Sequence, residues 1–390
     1  MISPQKALKI ILSHAHPFGL EKIDTAKALG CVLAENIRSD IDIPPFNRCA
    51  MDGFAMNSQD PSKVLKVIED IPAGKVPQKG IKPGQCARIM TGAMLPQGAD
   101  KVVKIENTEP LGADRVRITA QDKKNHVAHI GEDVRRGQIV LKKGRRIRPQ
   151  EVAMLATVGR TKVAIYRRPK VAVISTGSEL VESRQKPQPG QIRNSNSSML
   201  LAQLKKRGID GEYLGIAKDR FAETQRLVNE GLAQADVLLL SGGVSVGDYD
   251  FVRDVLRNCG IKILFDRVAI QPGKPTVFGV KGKKWVFGLP GNPVSVLIVF
   301  ELLVGPAIDK AAGCKYQSEF FKVRLLQDFQ RQDAKRELYY PVKIKPGGAM
   351  PLEYHGSAHM QALIQADGIM KIKRGVKHLR EGAVIDVRPI

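Results

Sequence analysis

Acidic residues are what this chain has too few of: 39 Asp and Glu stand against 62 Lys and Arg, for a formal net charge of +23. An excess of that size suits nucleic acid, an anionic membrane or small anionic ligands. Aromatic residues are also scarce, at 5% of 390 residues, which removes the stacking surfaces of a single-strand binder, and no nucleic-acid motif is present. With the lysines spread along the chain, nucleic acid is the disfavoured partner and small anionic substrates the favoured one. No apolar run reaches the length of a membrane span, and the opening MISPQKALKIILSHAHPFG has no small-residue cleavage site after its apolar patch. The expectation is a cytoplasmic protein with no membrane partner. Cys31, Cys49, Cys86, Cys259 and Cys314 are odd in number and lack a C-x-x-C pair, which excludes a disulfide framework and fits free thiols. The pairs His14/His16, His126/His129 and His355/His359 lack Cys or carboxylate partners at zinc-site spacing. A G-x-x-x-x-G-K-[ST] loop is missing too, as are a Ser-His-Asp order and a reactive-cysteine context, so a P-loop nucleotidase and acyl transfer are set aside.

What is present centres on residues 235–250, ADVLLLSGGVSVGDYD. An unbroken apolar run reads as a strand buried on both faces of a parallel sheet. Gly242 and Gly243 then allow a sharp turn with backbone N–H groups close to a ligand, and Ser241 and Ser245 add hydroxyls. Val252, Val255, Leu256 and Cys259 share one helical face after it. Asp248 and Asp250 lie between strand and helix; a helix cap accounts for one of them, and a metal carboxylate for the other.

The composition, 43% hydrophobic and 26% charged, fits a globular chain of two to four domains. Residues 1–40 read as helical, with apolar stripes at Ala7, Leu8, Ile11, Leu12 and again over residues 22–37. A proline-rich apolar loop, IDIPPFNRCAMDGFA, leads into strands and turns up to residue 140. Residues 141–170 carry ten Lys or Arg and one acid, Glu151, around the helical EVAMLATVG, and read as a connector with a solvated basic face. From residue 170 to 312 the strand–loop–helix pattern repeats, with each polar loop at a strand's carboxyl end, where open α/β sheets bind ligands. Residues 313–390 return to short strands, with GSAHMQAL as a turn-rich break. The fold class is thus multi-domain α/β plus β, with a central parallel-sheet domain and a barrel-like β domain at the end.

Glu179, Asp219, Asp248 and Asp250 all fall at strand ends. Each like-charged pair brought to about 4 Å costs roughly 4 kcal/mol, which a divalent oxygen-loving ion offsets; magnesium takes one or two carboxylates and completes its shell with water and phosphate. Asp219 and Asp250 are the expected metal ligands. Lys274, between Pro272 and Pro275 in QPGKP, presents an ammonium from a restricted backbone, and residues 290–295 end a strand and open a helix whose free N–H groups suit an anion. The site expected from the residues alone holds a phosphorylated ligand, a magnesium-type ion and a further oxyanion.

The segments PPFNRCAMDGFA, RIMTGAMLPQGAD, GED at residues 131–133, STGSEL, SGGVSVGDYD, QPGKP and LPGNPVS, collinear along almost the whole chain, resemble the MoeA family of molybdopterin molybdenumtransferases, which includes the E domain of gephyrin. The resemblance implies a helical linker domain (residues 1–40 and 141–169), an inserted β domain (41–140), a molybdopterin-binding-like α/β domain (170–312) and a C-terminal β domain (313–390). It implies insertion of molybdate into adenylylated molybdopterin with Mg2+, releasing AMP, in an elongated homodimer whose site also uses the inserted domain of the other subunit. The molybdopterin adenylyltransferase or molybdoenzyme chaperones are the further partners it suggests. Transferred by motif, the catalytic residues are Asp52, Glu179, Asp250 and Lys274. The substrate-binding residues are Thr91, Gly92, Glu132 and Asp133 on the inserted domain. Thr176, Gly177, Ser195, Asn196, Ser241, Gly242, Gly243 and Ser245 follow on the central domain, then Gly273, Pro290, Gly291, Asn292 and Ser295, and finally Ser357. Ser295 and Ser357 approach the molybdate. The chain departs from the family pattern at Gln271, where a lysine is usual, at residues 126–128, which lack the usual arginine, at Ser178, Asn194 and Cys49, and in the blurred stretch 335–341. The alternative is therefore a divergent, non-catalytic paralogue that binds the pterin nucleotide or a protein partner.

Overall fold

The computed structural model describes residues 1–120, 123–244, 252–315 and 320–390. Its centre is a six-stranded sheet in the order Glu212–Ala217, Val171–Thr176, Val237–Ser241, Lys284–Leu289, Pro275–Lys281, Lys262–Arg267. The first four run parallel, and Pro275–Lys281 runs antiparallel to both its neighbours. Every residue of Val171–Thr176 and Val237–Ser241 is buried, because apolar layers cover both faces. One layer includes Leu200 and Leu204 of helix Ser195–Lys206; the other includes Leu227 and Val228 of helix Phe221–Gln234. The chain leaving Val171–Thr176 goes through the first layer to Glu212–Ala217 on one side, and the chain leaving Val237–Ser241 goes to helix Val252–Asn258 in the second layer and on to strands of the other side, which makes a switch point between the ends of Val171–Thr176 and Val237–Ser241.

Residues 53–118 form a separate sheet in the order Lys101–Lys104, Gly53–Met56, Gln85–Ile89, Val64–Ile71, Arg115–Ile118, Thr108–Leu111. A third sheet near the carboxyl end takes Ile270–Gln271 as its edge strand, followed by Glu337–Lys345, Gly368–Ile372, Val384–Pro389 and Phe321–Arg324, with Gly348–Pro351 beside Glu337–Lys345. The parallel pairing of Ile270–Gln271 with Glu337–Lys345 ties the segment just before Lys274 to that third sheet.

Three expectations need correction. In residues 1–40 the only α-helix is Pro4–His14, capped by Ser3, with Ala7 and Ile11 packed into the central core, and Thr25–Lys27 is a single 3-10 turn. The stripe over residues 22–37 is not a helix: Leu20–Asp24 pairs antiparallel with Lys162–Tyr166, placing Ile23 opposite Val163, and Gly30 at φ +76° turns the chain. Apolar residues that happen to recur at helical spacing are buried there by strand pairing instead. The basic connector is not simply a solvated face, since Glu151 is 3% exposed and accepts from Arg145 and Arg148, and Arg167 pairs with Asp236 at 2.9 Å. GSAHMQAL is not only a turn: it leads into helix Met360–Gln365, whose Ala362 and Leu363 are buried.

Candidate active site

At the switch point the loop tips interlock through short-range contacts. Ser178 N–H donates to Asp219 Oδ2 at 2.8 Å and Asp219 N–H to Ser178 Oγ at 3.1 Å, so the ends of two neighbouring parallel strands are fastened together. Gly177 sits beneath Glu179, where a Cβ would come 2.6 Å from a carboxylate oxygen. Gly242, at φ +100°, has no room for a side chain, because a Cβ would lie 2.3 Å from the Thr176 carbonyl oxygen; its N–H donates to Leu289 O at 3.1 Å. Gly243 is likewise closed in by Thr176 and Val252. Asn196, in the first turn of the helix that begins at Ser195, donates from Nδ2 to Ser241 Oγ at 2.8 Å and to Gly291 O at 2.6 Å. One amide thus ties the start of a helix to two strand ends. Ser245, Asp248 and Asp250 lie outside the described residues, so their expected ligand roles find no geometry here.

Beside this cluster is a cleft of ≈ 910 Å³ between the central and third sheets, lined by residues 271–275, 290–292, Ser295, 329–331, Arg336, Leu338, Tyr340 and 354–357. Gly273, at φ +115°, is pressed between Val299 and Ile270, and its carbonyl accepts from Thr276 Oγ1 at 2.7 Å. That locks the backbone under the exposed Lys274. Asn292 Nδ2 donates to Ser357 Oγ at 2.6 Å and Val294 N–H to Ser357 O at 3.0 Å. The second bond corrects the reading of residues 290–295 as an open anion cradle: one of the helix-start amides is already satisfied within the protein. Gly273, Lys274, Pro290, Gly291, Asn292, Ser295 and Ser357 all line the cleft.

Of the candidates on the inserted part, Asp52 and Thr91 are tied to each other. Asp52 Oδ1 accepts from Thr91 N–H at 2.7 Å and Thr91 Oγ1 at 2.6 Å, and the Thr91 hydroxyl chiefly, with its amide, holds the Asp52 carboxyl below the usual range. Gly92 N–H donates to Cys49 O, Asp133 N–H to Ile43 O, and His129 N–H to Glu132 Oε2 at 2.8 Å. None of Asp52, Thr91, Gly92, Glu132 and Asp133 lines the cleft of their own chain.

Phe329, Arg331, Arg336, Tyr340 and Tyr354 line the cleft and were not singled out from the sequence. Arg331 is committed to three carbonyls, of Val376, Arg336 and Lys373, and shapes the wall more than it offers a free cation. Tyr340 and Tyr354 meet edge to face at 5.3 Å. Gln271 Oε1 and Tyr354 Oη in the cleft, and Asn196 Oδ1 in the adjoining cluster, are buried without a protein partner. Such atoms are costly unless a ligand or water meets them. Among the described residues no group of three or more His, Cys, Asp or Glu is disposed to hold a metal. Asp219 and Glu179 are the carboxylates that the described part of the strand-end cluster offers, and one or two carboxylates are what magnesium takes from protein when phosphate completes its shell.

Three family models match in order: MoeA N-terminal region (domain I and II) over residues 2–159, probable molybdopterin binding domain over 172–310, and MoeA C-terminal region (domain IV) over 322–390. The chain belongs to the MoeA family. A molybdopterin molybdenumtransferase of Staphylococcus epidermidis is 35% identical over 400 residues, covering 99% of this chain and 95% of that one. One of Staphylococcus aureus is 33% identical over 398 residues, with coverage of 99% and 95%. Among solved structures, a molybdopterin biosynthesis MoeA protein of Pyrococcus horikoshii superposes with a TM-score of 0.85 at 35% identity, covering 100% of this chain and 99% of that one. The MoeA fold therefore extends over all three sheets, and the cleft lies between the parts matched by the molybdopterin-binding and C-terminal models.

Proposed function

We propose that this MoeA-family chain is a molybdopterin molybdenumtransferase of molybdenum cofactor biosynthesis, which inserts molybdate into adenylylated molybdopterin and releases AMP. The observation that carries the reading is the pairing of an anion-suited cleft, bearing Lys274 and the unpartnered polar atoms of Gln271 and Tyr354, with a fastened strand-end cluster beside it. Asn196 and the Gly242–Gly243 turn position the nucleotide end of the substrate. Lys274 and Ser357 face the molybdate, with Ser295 behind them. Magnesium, when bound, supplies positive charge to the pyrophosphate; Asp219, Glu179 and Asp250 are the carboxylates that would hold it. The reading of Asp219 rests on its Oδ2, which the Ser178 amide fixes at the strand end.

The absence of Asp52, Thr91 and Glu132 from their own chain's cleft supports a homodimer in which a second copy delivers them. The test is turnover: purified protein given adenylylated molybdopterin, Mg2+ and molybdate should release AMP and cofactor stoichiometrically. Tight nucleotide binding without AMP release above background would instead support the non-catalytic paralogue.

A further inference from the structure

Lys274 stands in a loop that is framed by two distant parts of the chain. Val268 N–H donates to Lys274 O at 3.0 Å, so residues 268–274 close on themselves. On one side Ile2 N–H donates to Arg267 O at 3.1 Å and Ala269 N–H to Ile2 O at 2.7 Å, which lays Ile2 alongside Val268 as a parallel bridge. On the other side Glu337 N–H donates to Ala269 O at 3.0 Å and Arg336 Nη1 to Ile270 O at 3.2 Å, in the register that sets Ile270 opposite Glu337 and Gln271 opposite Leu338.

The two sides meet through one pair of side chains. Side chains alternate along a strand: Arg336 and Leu338 line the cleft, whereas Glu337 between them does not and is 8% exposed. Its carboxylate accepts from Gln5 Nε2 at 3.0 and 3.3 Å and from the Tyr339 hydroxyl, with Lys371 Nζ at 3.5 Å. Gln5 is carried there by a helix start: Ser3 Oγ accepts from Lys6 N–H at 3.2 Å, and Pro4 opens the first turn, where no N–H is needed. Ala7 and Ile11 of that helix belong to the central core, so the amide is fixed to the central unit and the carboxylate it meets to the third sheet. A buried carboxylate is costly unless its oxygens are met, which makes Gln5 part of what holds Glu337 in place.

We propose that Gln5, acting through Glu337, is a positioning residue for the cleft: the pair fixes strand Glu337–Lys345 against residues 268–274 and so sets where Lys274 and Arg336 stand in the cleft wall. Neither Gln5 nor Glu337 touches substrate. The consequence for turnover rests on the assignment of Lys274 to the molybdate; the consequence for the loop does not.

Hydrogen exchange reads the loop without turnover. In Gln5→Glu, which sets two carboxylates against each other, and in Gln5→Leu, which removes the donor, amides of a peptide covering residues 268–275 should exchange several-fold faster than in wild type, while those of Val171–Thr176 keep their rate. The double variant Gln5→Glu/Glu337→Gln again pairs an amide with a carboxylate and should restore slow exchange; should it fail to fold, Gln5→Lys, which offers an ammonium to the same carboxylate, takes its place. In turnover assays the two single variants should raise the KM for molybdate about tenfold with a smaller change in kcat, and the rescue variant should bring it back. Unchanged exchange over residues 268–275, a rise shared equally by Val171–Thr176, or no recovery on rescue would overturn the inference, as would faster exchange with an unmoved KM. A wild type that releases no AMP would count against the proposed reaction alone, and the exchange rates would still decide whether Gln5 positions the loop.

Discussion

Asp52 is fixed chiefly by Thr91. Thr91 supplies both a hydroxyl and an amide to one carboxylate oxygen, which holds the group ionised to a lower pH than usual. Thr91→Val keeps the shape and the amide but removes the larger stabilising contact. The carboxyl then rises toward its ordinary range, and the acid limb of the kcat/KM–pH profile should move to higher pH with the neutral-pH rate reduced; an unmoved limb would show that Asp52 ionisation does not govern turnover. Gly242 gives a second test at this scale. Its φ of +100° and the 2.3 Å approach of a Cβ to the Thr176 carbonyl mean that Gly242→Ala forces the turn open, at about 1–3 kcal/mol. Weaker nucleotide binding in calorimetry, with a lower unfolding temperature, is the expected result. These positions were legible because glycine, asparagine and acid stood at strand ends in the sequence. Tyr340 and Tyr354 were not, since an aromatic in a β-rich stretch reads the same whether it faces a core or a cleft until the register of Glu337–Lys345 is known.

Helix Pro149–Thr157 shows how an element can reverse the meaning of its composition. Ten basic residues with one acid read as solvated surface, yet that acid, Glu151, is the buried anchor that receives the Arg148 amide and both the Arg145 and Arg148 guanidinium groups. The Arg148 side chain foremost, with Arg145, lowers its pKa to about 2 against the cost of burial. The folded value lies below the unfolded one, so this stabilisation is fully present above the ordinary glutamate range and is lost as pH falls from there toward 2. Glu151→Gln should therefore destabilise the protein by about 2–3 kcal/mol at neutral pH, and the gap to wild type in denaturant titrations should shrink on acidification. A pH-independent gap would place the effect in packing instead. The same unit explains why residues 22–37 misled: helical periodicity was visible in the sequence, but the partner strand Lys162–Tyr166 is some 140 residues away, and no local pattern announces a non-local pairing.

At the scale of the whole molecule, the central feature is a divided set of candidate site residues. Lys274, Asn292 and Ser357 line one cleft, while Asp52 and Thr91, bonded to each other at the ends of inserted-sheet strands, and Glu132 in the turn after His129 do not. Collinear motifs revealed both sets but not their separation, because order along the chain carries no information on which copy faces which. If a second copy completes each cleft, the two sets can be inactivated separately and recombined. Asp52→Asn and Lys274→Ala should each lower turnover at least about tenfold as purified homodimers. Denatured together in equal amounts and refolded, they should form about half heterodimers by random pairing. One of the two clefts in each heterodimer then carries both lesions and the other carries neither, so activity should recover to about a quarter of wild type. Recovery to that level requires residues from two chains in one site. Activity no higher than the mean of the two parents would mean that each chain folds its inserted sheet onto its own cleft, or that Asp52 lies outside the reaction altogether; the Asp52→Asn homodimer alone separates those two outcomes, since it loses turnover in the first and keeps it in the second.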